Sequence, residues 1–163
     1  MLTPEQYSAL RVDMESRPEL ANALATGDDV FVASFYNVLV APDFIVWRTN
    51  VTQDEIMQNG FDWVQVDNLS VGAARIWEWL FDNENSMINA SKANVRAGID
   101  ECWKGTAAKL AVRDAIYLHL KRQANLIEKL FATGVGSVAS PAVMGFEGEL
   151  SYTDASKARV WGD

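Results

Sequence analysis

The chain is poor in reactive side chains: its 163 residues include one cysteine, Cys102, and one histidine, His119. A single cysteine excludes an intrachain disulfide and a thiolate metal cluster, and fits a reducing compartment. With one histidine beside it, few sets of nucleophile, base and orienter can be assembled. Cations are also scarce, 14 against 22 acidic residues, which leaves a formal charge of -8. Such a chain repels a phosphate backbone, so nucleic acid is not expected as its main partner. The longest apolar stretch, around Val30 to Ala41, is broken by Ser34 and Asn37 and stops at Pro42. It is too short to cross a bilayer, so no membrane partner is expected. Met1 to Gln6 lack the basic and apolar regions of a secretory signal, which predicts a cytoplasmic product. Neither an internal repeat nor a heptad seam is present.

Core-forming residues, by contrast, are plentiful. Apolar residues make up 49% of the chain and aromatics 10%, with six tryptophans. A chain of this length buries roughly 70% of its unfolded surface, enough to fold unaided, and one domain is the default. The patterning predicts a mainly α fold: a compact multi-helix domain over residues 1–133, then an extended arm over 134–163 with a short strand and a terminal helix.

Helix signals recur along the chain. Thr3, Pro4 and Gln6 form a capping box with proline at the first helical position, followed by Tyr7, Leu10 and Met14 at helical spacing. Pro18 opens a short segment with Leu20 and Leu24 on one face, which Gly27 ends. Asp28 caps a helix whose Phe31, Phe35, Val38 and Leu39 are expected to be buried. Phe44 to Trp47 fit either strand or helix. Thr52 with Glu55 is a second capping box, and Phe61 to Val66 read as a brief strand or a connector. Ser70 caps a helix to about Asp82, with Ala73, Ile76, Trp77 and Leu80 inward; Trp79 and Phe81 lie off that face, so the helix is expected to be covered on both sides. Asn89 or Ser91 caps the next, carrying Val95, Ile99, Cys102 and Trp103. Thr106 opens a long helix through His119 to Leu130 and Phe131, straight or kinked. Residues 134–145 have loop composition, and Phe146, Gly148, Leu150 and Tyr152 alternate with polar residues as in a half-buried strand. Thr153 caps a last helix to Trp161.

No constellation that chemistry requires stands out. His119 reads as a core-edge residue with a hydrogen bond, and Cys102, on a separate helix, as a buried small apolar group. The paired acids Asp13 and Glu15, Asp54 and Glu55, and Asp100 and Glu101, one or two positions apart, point in different directions on helices and are not expected to share a metal. Asp82 to Asn85 lack the continuation of a calcium loop, and Gly134 to Ser137 lack the lysine and helix start of a phosphate cradle. Lys109, Arg113, Lys121 and Arg122 form one basic patch, read as complementing the C-terminal end of a helix. No catalytic residue, cofactor or metal is expected.

Six tryptophans exceed what a domain of this size hides, so some are expected at contacts between chains. Trp79 and Trp161 are the candidates, joined by Phe146, Leu150 and Tyr152 if the arm adds a strand to a neighbour.

The segments 66–79 (VDNLSVGAARIWEW) and 92–100 (KANVRAGID) carry a likeness, continued by 128–134 (EKLFATG), Ser140-Pro141-Ala142 and 144–148 (MGFEG). Together they resemble a family of short proteins encoded in tailed bacteriophages and prophages among the virion structural and morphogenesis genes. The resemblance implies a non-enzymatic structural or assembly protein, made in the bacterial cytoplasm and incorporated in the virion near the head-tail junction as a neck, connector or tail-completion component. Its implied partners are other phage structural proteins and further copies of itself, as a homo-oligomer or ring. The alternative is a small non-virion regulator that binds a host or phage protein through the same tryptophan surface.

Overall fold

A computed structural model of the chain describes residues 1–58, 60–83 and 86–162. It is mainly α, with ten α-helices and two small two-stranded sheets among the described residues. Contacts divide the chain into two units. Unit 1 joins Met1–Val46 to Gln123–Asp163, and unit 2 is the intervening Trp47–Arg122. The separation expected at residues 133 and 134 is not where the chain divides, because residues beyond 134 are bonded into unit 1.

Unit 1 contains α1 (Pro4–Glu15), a 3-10 turn (Pro18–Leu20), α2 (Ala21–Thr26), α3 (Asp29–Tyr36), α9 (Leu126–Leu130) and α10 (Tyr152–Arg159). The Thr3 capping box is present, and Gly27 ends α2 in the left-handed region that a Cβ disfavours. Tyr7, Leu10, Met14, Leu20, Val32, Tyr36, Ile127 and Leu150 form its core. The rotation of α3 differs from expectation. Val32, Ala33 and Tyr36 are buried, while Phe31, Val38 and Leu39 are about half exposed. A segment apolar on all sides does not fix its own rotation. Here polar anchors do: Tyr36 Oη donates to Asp13 at 2.5 Å, and the Arg159 guanidinium grips both oxygens of Asp29 at 2.9 and 3.2 Å.

Unit 2 contains β2 (Val51–Thr52), α4 (Gln53–Ile56), α5 (Val64–Asp67), α6 (Val71–Phe81), β3 (Met87–Ile88), α7 (Ala93–Cys102) and α8 (Ala107–His119). Strands β2 and β3 are antiparallel, with Val51 opposite Ile88. The core is aromatic. Trp77 and Trp103 meet edge to face at 5.2 Å, Phe81 meets Trp77 at 5.0 Å, and Phe61 contacts both tryptophans. A Cβ on Gly98 of α7 would meet Leu80 and Ile76 of α6 at 3.4 and 3.6 Å, ordinary van der Waals contact, so α7 packs against α6 at this position.

The chain passes between the units through β1 (Ile45–Trp47) and β4 (Lys121–Gln123). Flanking bonds lie within one unit each: Ala124 N to Phe44 O at 2.8 Å in the first, Arg48 N to Leu120 O at 2.9 Å in the second. The long helix expected from Thr106 to Phe131 is therefore two helices separated by a strand. Asn125 and Glu128 restart it with a capping box of their own.

Residues 145–151 alternate in burial as expected, with Tyr152 exposed against expectation, yet they form no strand. Side chains take the place of a ladder. The Asn37 amide accepts from Leu150 N at 2.7 Å and donates to Leu150 O at 3.1 Å. Gly148 N donates to Glu128 Oε1 at 2.9 Å, and Asn125 Nδ2 donates to Gly148 O at 3.0 Å. Upstream, Thr133 and Val143 exchange two backbone bonds, so the start of the expected extended arm is a loop folded onto unit 1.

Candidate interaction surfaces

The five residues predicted to meet other chains fall into three situations. Leu150 is 2% exposed and belongs to the unit 1 core, so this structure leaves it no surface to offer. Phe146 is half-buried, edge-on to Phe131 at 6.3 Å. Trp161 is half-buried too, stacked on Tyr7 at 4.7 Å with the Lys157 ammonium 5.2 Å from its ring. These contacts explain why Trp161 is held to its own unit. Tyr152, on the first turn of α10, and Trp79, on α6, remain exposed at 62% and 65%.

Trp79 contradicts the expectation that α6 is covered on both sides. Phe81 turns into the core, whereas Trp79 stands at the rim of a shallow depression of about 460 Å³ lined with Gln53, Trp77, Glu78, Phe81 and Asp82. Trp63 is a second exposed indole of unit 2, at 57%, placed edge-on to Phe61. It carried no signal in the sequence, since Phe61 to Val66 read as a strand or connector and the structure makes a turn and the short α5.

The groups that chemistry would need are quiet. Cys102 is buried, its Sγ donating to Ala73 O at 3.3 Å, and burial pushes the thiol up to about 11. A thiol so placed is almost wholly protonated near neutrality and is a poor nucleophile. His119 lies at the C-terminal end of α8; its carbonyl accepts from Arg48, but the imidazole has no hydrogen bond among the described residues, contrary to expectation. Of the basic patch, only Lys109 and Arg113 lie on α8. Lys121 and Arg122 fall on β4, where the Lys121 ammonium sits over Trp47 at 5.3 Å and Arg96 stands 4.6 Å from the same ring. Arg113 is bound by Asp114 at 2.8 Å. Burial and the neighbouring Asp100 raise the Tyr117 phenol to about 12.

No group of three or more His, Cys, Asp or Glu side chains among the described residues is arranged to hold a metal ion. Asn85 and Glu84, part of the segment dismissed as a calcium loop, lie outside the described residues. Among the described residues no helix is long and apolar enough to cross a membrane.

Charge is divided unevenly. Unit 1 has 12 acidic and 5 basic residues, a net of -7, and unit 2 has 10 and 9, a net of -1. Compared with protein-family profiles, with curated proteins and with solved structures, the chain matches none.

Proposed function

We propose that this chain is a structural or assembly protein of a tailed-phage particle, near the head-tail junction, and that it works by protein-protein contacts and not by catalysis. The observation that carries the contact reading is Trp79, a tryptophan left 65% exposed on a helix that buries Trp77 and Phe81 and packs the partly buried Ile76 and Leu80 against the unit 2 core. Exposed tryptophan has a high solvation cost and is the residue type most enriched at the energetic centres of interfaces. The phage setting rests on the family resemblance of segments 66–79, 92–100 and 128–148.

Quantitative mass spectrometry of purified particles from a strain encoding the protein tests this. The expected result is the chain present at a fixed copy number, with particles from a deletion strain stalled in head or tail joining. A chain missing from finished particles overturns the reading and leaves a non-virion regulator in its place.

A further inference from the structure

Five residues of α6 and its C-terminal cap, Val71, Arg75, Glu78, Trp79 and Asp82, share one face, being spaced by three and four. All are exposed, Val71 by 78%. The side chains of Arg75, Glu78 and Asp82 make no hydrogen bond or ion pair among the described residues. Elsewhere in unit 2, Arg48, Lys104 and Arg113 each hold a carboxylate. Gly72 lies beside this face, one turn before Ile76. A Cβ on it would meet nothing within 4 Å, and its φ is negative. Nothing among the described residues therefore calls for glycine at a helical position where it lowers stability relative to alanine.

We propose that this face pairs with the same face of a second copy, the two α6 helices antiparallel about a two-fold axis level with the Ile76–Trp77 peptide. The inference rests on the contact reading of Trp79 above and names the partner. At the helical rise, residues whose numbers sum to 153 stand level in such a pair. Arg75 of each subunit then meets Glu78 of the other. Trp79 lies beside the other subunit's Arg75 and over its Gly72, where the missing side chain leaves room for the indole. Asp82 comes level with Val71 of the partner subunit, the first residue of a helix whose positive end favours a carboxylate.

Charge selects a copy of this chain as the occupant. The face runs from cation to anion along its length, so its complement is itself reversed. A uniformly acidic or basic partner would be repelled at one end. Pairing through unit 2 also joins surfaces of net charge -1, whereas contact through unit 1 would oppose two charges of -7.

Sedimentation equilibrium on the full chain decides this. The wild type should show a reversible species of twice the 18.1 kDa chain mass. Trp79→Ala should weaken association by about 30-fold or more, as an interface anchor does. Gly72→Leu should weaken it comparably while raising the melting temperature of the dilute monomer, since leucine is the better helix former and clashes only with the partner. Arg75→Glu and Glu78→Arg should each cost about 10-fold or more, and the double variant should return to within about twofold of wild type. A wild type that stays monomeric up to about 0.5 mM overturns the proposal, as does a dimer indifferent to these variants or a double variant no tighter than the singles. A monomer found in particles would sink the pairing alone, and a dimer absent from particles would sink the phage reading alone.

Discussion

Gly136 shows how much one missing side chain can decide. Its φ is +71°, and a Cβ there would stand 2.2 Å from Phe44 Cε2, while its carbonyl accepts from Ile45 N at 2.7 Å. Gly136→Ala combines left-handed backbone strain with overpacking and should lower stability by about 3 kcal/mol, read from chemical denaturation. Phe44→Ala in the same chain should recover the overpacking share but not the backbone share, so the two changes should be non-additive. If they add, the clash is not what the glycine avoids. Asp29 makes a second residue-scale case. Arg159 bonds to both its oxygens and holds the carboxyl below its ordinary range. A lowered folded-state pKa stabilises above the unfolded value, near 4, and that share is lost as pH falls through the folded value. Asp29→Asn should therefore cost about 1 kcal/mol at pH 7, with the gap from wild type closing toward pH 2. A gap that stays constant across that range would show that charge is not what the pair contributes.

At the scale of elements, the segment before α10 is held by amide and carboxylate side chains in place of a neighbouring strand. Leu150 is buried, so its N–H and C=O need partners, and Asn37 supplies both. Asn37→Ala leaves two buried backbone groups unpaired and should cost about 2 to 4 kcal/mol. Hydrogen exchange should show the loss concentrated at residues 148–152; uniform loss across unit 1 would mean Asn37 acts otherwise. Local signals were the legible part of the sequence. The boxes at Thr3 and Thr52, the caps at Asp28, Ser70 and Thr106, and the αL stop at Gly27 all act between residues at most five apart. What needed distant partners was not legible. The Asn37 clamp spans 113 positions. The break after His119 comes where the chain extends as β4 beside another strand, which no local residue announces. Nearer errors came from competing caps: Ser151 and not Thr153 starts α10, and Lys92 precedes α7 while Asn89 bonds to Ser91. Of the candidate contact residues, Trp79 is exposed because it falls outside the apolar face of α6, a face the sequence marks without saying whether the other side of the helix is covered. Leu150 was misjudged because alternation marks an extended chain without saying what lies on either side.

At the scale of the whole molecule, the division of charge has consequences of its own. Every cation of unit 1 is already engaged: Arg11 with Glu15, Arg17 with Asp13, Arg159 with Asp29, Lys129 over Phe44 and Lys157 over Tyr7 and Trp161. The remaining excess of seven negative charges repels itself, a cost that falls as the screening length shrinks from about 30 Å at 0.01 M salt to about 8 Å at 0.15 M. Unit 2, nearly neutral, has little such repulsion to relieve. Adding sodium chloride across that range should therefore slow hydrogen exchange at core amides of unit 1, such as Leu10 and Ile127, while leaving Ile99 and Ile116 of unit 2 almost unchanged. The partly buried ion pairs of unit 1 work in the opposite sense, but close pairs are screened far less than charges spread over a surface. Equal slowing in both units would mean that salt acts on burial in general, and slowing confined to unit 2 would contradict the electrostatic account outright.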